Sequence, residues 1–142
     1  MQPKFILLFL SMLLVVGCKS GGKKSLADFD ESNPGPTRIE FLDGTEHNFG
    51  TYSDSVTLVH YFRFKVVGDA PLVITQTLPS CGCTDASHSY RPVMPGDIDS
   101  ICISYNGNGF HPGYFSQSCE IVSNAPSVDL IIEGEFQPRM SN

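Results

Sequence analysis

VTLVHYFRFKV, from Val56 to Val66, decides the fold. Every second residue is apolar or aromatic (Val56, Leu58, Phe62, Phe64 and Val66, with His60 in step), while Thr57, Arg63 and Lys65 alternate with them. Successive side chains of a strand point to opposite faces, so this pattern describes a strand with one face on a core. A helix would scatter the same residues around its circumference.

Outward from it the same grammar repeats. Short alternating runs cover Thr37–Leu42, His47–Tyr52, Leu72–Leu78, Tyr90–Met94, Ile98–Tyr105, Tyr114–Ser123 and Val128–Phe136. Turn residues separate them: Asp43-Gly44, Gly68-Asp69-Ala70-Pro71, Pro95-Gly96-Asp97, Asn106–Gly113 and Asn124-Ala125-Pro126. Strands with turn signals at this spacing, over about 100 residues, predict an all-β chain: a single immunoglobulin-like β-sandwich of about seven to eight strands, over residues 37–142. Ile101, Ile103 and Tyr105 share one face of their strand, and Phe115, Cys119 and Ile121 share one face of the next, with Gln117 as the exception. The core contains no Trp, so its aromatic bulk falls to Phe and Tyr.

The first 36 residues read differently. Lys4 gives a positive start, Phe5–Val16 is apolar except for Ser11, and Gly17 precedes Cys18. The run is too short to span a bilayer and reads as a secretory signal peptide over 1–17. Its ending, Leu14-Val15-Val16-Gly17-Cys18, resembles the lipobox of bacterial lipoproteins, in which the cysteine is acylated and becomes the first residue. Lipidation at Cys18, rather than an ordinary signal with an incidental cysteine, is the expectation. It attaches the chain to the membrane through the lipid and keeps it in the cell envelope, on the periplasmic or outer-membrane side and not in the cytoplasm. Residues 18–36, rich in Gly, Ser and Pro and without apolar period, form a flexible linker.

Removing residues 1–17 takes away Lys4 and no acid, which moves the net charge from −6 to −7. An acidic chain without clustered Lys and Arg excludes nucleic acid as a partner. Cys81, Cys83, Cys102 and Cys119 remain after Cys18, in a compartment where disulfides persist. Cys102 falls out of step with its apolar neighbours and faces outward, whereas Cys119 faces inward. Their strands, read as neighbours in one sheet, put the two sulfurs on opposite sides of it, so they are not bonded to each other unless a β-bulge at Gln117 shifts the register.

Taken in order, His47-Asn48-Phe49-Gly50, Gly68-Asp69-Ala70-Pro71-Leu72, Pro79-Ser80-Cys81-Gly82-Cys83-Thr84, Pro95-Gly96-Asp97, Ser123-Asn124 and Ile132-Glu133-Gly134 resemble the domain of unknown function 1573 family over about residues 41–136. The resemblance implies a secreted or lipid-anchored domain of the kind abundant in Bacteroidetes. It further implies a sandwich similar to the ASPM-SPD-2-Hydin and major-sperm-protein domains. It carries no established activity. Cys102 and Cys119 depart from the family's usual polar and aliphatic residues at those positions.

The strongest local feature is Cys81-Gly82-Cys83, in which a glycine at positive φ would bring the thiols together. Three uses are open. The pair can close a small disulfide, strained and easily reduced; it can supply soft ligands to copper or zinc, with His88, Met94 or His111 as weak further candidates; or it can be purely structural. If the strand before Pro95 crosses the sheet, the Cys-Gly-Cys loop shares an end with the Asn106–Gly113 loop. His60 and His47 read as core or rim histidines. Asp97 and Asp99 read as solvated surface, and no Gly-x-Ser-x-Gly elbow or phosphate-binding glycine loop is present. The expectation is a non-catalytic binding or scaffold module for an envelope protein, with the Asn106–Gly113 loop (Phe110 at its tip) and the Cys-Gly-Cys loop as first candidates for contact. The alternative is a periplasmic copper- or thiol-handling factor using Cys81 and Cys83.

Overall fold

The computed structural model describes residues 36–107 and 111–139. The expected signal peptide, Cys18, the expected linker up to residue 35 and Phe110 lie outside the described residues. Eight strands are present: β1 (Ile39–Phe41), β2 (Glu46–Tyr52), β3 (Leu58–Val66), β4 (Ile74–Pro79), β5 (Thr84–Ser87), β6 (Ile98–Tyr105), β7 (Gly113–Ser123) and β8 (Val128–Phe136). They form two four-stranded sheets, ordered β1-β3-β6-β5 and β2-β8-β7-β4, here called the first and second sheet. The expected all-β sandwich is what the chain adopts.

Between the sheets Phe62, Phe64, Val66, Ile101 and Ile103 of the first face Cys119, Ile121, Leu130 and Ile132 of the second, all buried. The alternation of β3 therefore reports the core correctly, with one exception. Val56 is exposed and lies before the strand begins, in a turn where its amide donates to Asp54 O. Tyr105 and Phe115 stack across the sandwich, centroids 4.0 Å apart and planes 11° from parallel. His60 and His47 stack in the same way from opposite sheets, at 3.6 Å and 8°. Each histidine also meets the phenylalanine two residues on, Phe62 or Phe49, edge to face. Gly68 lets the lead-in to β1 lie against the end of β3, because a Cβ there would strike the Pro36–Thr37 backbone. Asp69 N–H donates to Pro36 O at 2.8 Å across the same contact.

Three expectations need correction. Tyr90–Met94 is not a strand. Val93 alone bridges Leu72, Pro92 removes a ladder donor, and Tyr90 stands in solvent. The strand that partners β6 there is β5, which begins directly after Cys83 and pairs Thr84 with Tyr105 and Ser87 with Cys102. Secondly, β6 and β7 are not neighbours, because the connection between them passes from one sheet to the other. Thirdly, the β7–β8 ladder runs without interruption through Gln117↔Ile132, so no bulge accounts for Gln117.

Candidate functional site

The Cys-Gly-Cys turn joins β4, an edge of the second sheet, to β5, an edge of the first. Cys81 and Cys83 are disulfide-bonded, with Cα atoms 5.3 Å apart. Thr84 N–H closes the turn on Cys81 O at 3.3 Å. Gly82 is exposed, and it is absent from the residues at positive φ (Gly44, Gly50, Gly96, Gly107 and Gly113 among those described). Nothing lies within 4 Å of a Cβ built on it. The glycine therefore leaves the turn open to approach, rather than supplying the left-handed conformation that the sequence suggested.

Both sheets hold this turn. On the second-sheet side, Ser80 N–H donates to Ser118 O at 2.8 Å, Ser118 N–H donates back to Ser80 Oγ at 3.0 Å, and Ser80 Oγ–H donates to Gln117 Oε1 at 2.9 Å. Gln117 breaks the apolar pattern of β7 for this reason: it keeps the inward register and spends its amide oxygen on the serine before Cys81. On the first-sheet side, Asn106 N–H donates to Cys83 O at 3.0 Å. The turn and the start of the Asn106–Gly113 connection thus share one end of the sandwich, as the crossing-strand expectation required, although β5 is the strand that crosses.

The two sulfurs differ in surroundings. Cys83 N–H points at Cys81 Sγ from 3.2 Å. The Thr84 hydroxyl lies 3.4 Å from Cys81 Sγ and 4.0 Å from Cys83 Sγ. A disulfide sulfur carries no proton, so the hydroxyl can only donate to it. Cys83 rests against the apolar core.

The other sequence candidates lie elsewhere. His88 sits beyond the far end of β5, about 13 Å along the strand at 3.3 Å per residue, with Nδ1 2.8 Å from Ser89 O. His111 is exposed. Among the described residues no group of three or more His, Cys, Asp or Glu side chains is placed to hold a metal ion, and sulfurs bonded to each other offer no thiolate ligand. Cys102 and Cys119 are free. They face outward and inward as expected, but in opposite sheets. Burial pushes the Cys119 thiol up to about 11. A groove of about 510 Å³ opens between β1 and the β7–β8 turn, lined by Arg38, Phe41, Thr45, Pro126, Ser127 and Val128, and Arg38 is the one charged side chain of its lining.

Sequence reasoning missed the outer face of the first sheet. There Val59 (45% exposed) and Tyr61 (58%) stand on β3, opposite Ser104 and Cys102 of β6. Their out-of-step position against the core residues of VTLVHYFRFKV was the signal available.

The pattern of the family described as protein of unknown function, DUF1573, matches residues 39–136, more than half of the chain. The chain belongs to the DUF1573 family. Among solved structures, this DUF1573 domain is similar to a protein of unknown function from Porphyromonas gingivalis W83, with 17% identity and a TM-score of 0.59 over 71% of this chain and 46% of that one. It is also similar to the VesB protease of Vibrio cholerae, with 11% identity and a TM-score of 0.55 over 73% and 32%. PapD-like domain 7 of human CEP192, an ASH domain, gives 10% and 0.55 over 76% and 90%. The chain spans less than half the length of the first two, and at these identities the likeness is one of fold. No curated protein sequence matches it.

Proposed function

We propose that this DUF1573 domain is a non-catalytic, lipid-anchored module of the bacterial cell envelope that binds or scaffolds another envelope protein. The observation that carries the reading is the apolar pair Val59 and Tyr61, exposed together on a sheet face where β6 sets Ser100, Cys102 and Ser104 beside them and the exposed Ile98 at its start. A tyrosine standing over small residues is the kind of anchor that protein interfaces concentrate, an apolar body with a polar tip. The lipobox-like ending at Cys18 supports a membrane tether.

The test is in-cell cross-linking of the full-length protein followed by capture, comparing wild type with Tyr61→Asp. Loss of the cross-linked species in the variant, with membrane attachment and fold unchanged, is expected. A cross-linking pattern indifferent to Tyr61→Asp and to Val59→Asp would overturn the assignment of this face.

A further inference from the structure

We infer that the Cys81–Cys83 disulfide is a thiol–disulfide exchange site, and that Cys81 is the sulfur that joins a partner protein's cysteine. The inference goes beyond the binding role above and does not rest on it.

Three observations carry it. The turn is pinned independently on each side, through Ser80 to β7 and through Cys83 O to Asn106 N–H, so the S–S bond can open without releasing either sheet. The available donors converge on one sulfur: Cys83 N–H and the Thr84 hydroxyl both approach Cys81 Sγ more closely than any donor approaches Cys83 Sγ. A thiolate on Cys81 is therefore hydrogen-bonded, while Cys83 rests on the apolar core with only the more distant Thr84 hydroxyl beside its sulfur. Finally, Gly82 leaves open space over the turn, so another polypeptide can bring a sulfur close.

This asymmetry divides the roles. In the reduced pair, the Cys81 thiolate attacks one sulfur of a partner disulfide. The bond from Cys81 to the partner forms, the partner's own S–S bond breaks, and its second sulfur departs as thiolate. Cys83 then gives up its proton to that departing thiolate and attacks Cys81 Sγ. The Cys81–Cys83 bond forms, the mixed disulfide breaks with the partner's other sulfur leaving as thiolate, and that thiolate takes a proton from water, so the partner departs as a dithiol carrying two electrons more than it brought. In reverse, a partner dithiol is the reductant and the same steps open the bond that the structure contains.

The test uses the full-length protein equilibrated in mixtures of reduced and oxidised glutathione, quenched by alkylation and read by peptide mapping, with circular dichroism in parallel. Free thiols are expected to appear at Cys81 and Cys83 while the β-sheet spectrum is unchanged. With oxidised glutathione, Cys83→Ser should form its adduct on Cys81 several-fold faster than Cys81→Ser forms one on Cys83, because the donors gather at Cys81 Sγ. In the wild-type protein, adducts trapped part-way should map to Cys81. A bond that opens only on unfolding, equal rates in the two variants, or a wild-type adduct on Cys83 would overturn the assignment.

Discussion

On the inner face of β8, a Cβ built at Gly134 would come within 2.7 Å of Phe115 Cε1 and 3.3 Å of Gly50 O. Phe115 cannot retreat, because its other side is stacked on Tyr105. Gly134→Val should therefore destabilise the domain by about 1–3 kcal/mol, the usual cost of overfilling a core, seen as a lower urea midpoint at unchanged slope. His60 sets a pH dependence. Burial, reinforced by the neighbouring His47 and opposed by Asp43, lowers its pKa below the ordinary histidine value of 6.5. The unfolded chain takes up this proton at higher pH than the fold does. The contribution is thus complete above pH 6.5 and is lost as pH falls through the folded value. The urea midpoint should drop between pH 7.5 and pH 5, and His60→Phe should flatten that drop; a slope unchanged by the substitution would show that His60 is not its source. Neither the glycine's crowding nor the histidine stack was legible in the sequence. Both depend on which residue of the opposite sheet stands across the core, and periodicity says only which way a side chain points.

Strands declare themselves when they carry large side chains. β3, β6, β7 and β8 were read closely from alternation, whereas β5 escaped because Thr84-Asp85-Ala86-Ser87 alternates only small groups. The Tyr90–Met94 run, with its larger side chains, carries the alternation instead and is not a strand. The partition of strands between sheets was likewise not written in the pattern: the free state of Cys102 and Cys119 follows first from their lying in opposite sheets, and facing alone would have been a weaker reason. Non-reducing peptide mapping should find no Cys102–Cys119 link. A maleimide should label Cys102 well before Cys119 in the native protein, since a thiol at about 11 is ionised to roughly one part in a thousand at pH 8. The site's residues were legible, and its connections were not. Cys81, Gly82 and Cys83 stood out by composition, but the Ser80–Gln117 contact joins strands 37 residues apart. Because the disulfide spans a sequence separation of only 2, it removes little freedom from the unfolded chain. Replacing both cysteines by alanine should cost about 1.5 kcal/mol and leave the sandwich folded, measured by urea unfolding.

At the scale of the molecule, the apolar-alternating residues all lie after Thr37. A fragment of residues 37–142 is expected to fold alone, with a far-UV spectrum of strand and little helix; a helical or unfolded spectrum would remove the independence of the domain. The proposed anchor at Cys18 would act on location instead. Cys18→Ala should leave the chain unacylated and shift it from the membrane to the soluble fraction, followed by acyl labelling and fractionation. Unchanged labelling would show that the anchor lies elsewhere.

The position of β8 imposes an order on the making of the fold. It lies between β2, which runs parallel to it, and β7, which runs antiparallel, and β2 has no other strand beside it. While the chain is being synthesised or threaded through a pore from its N-terminus, β2 therefore waits, unpaired, until Val128–Phe136 has come out. Leu130 and Ile132, which close the core over Phe62 and Ile103, arrive in that same last segment. No nascent chain that lacks Val128–Phe136 holds a reduced version of this sandwich, so folding waits for β8 to emerge, and a chain stopped before Val128 is a target for proteases rather than a smaller domain.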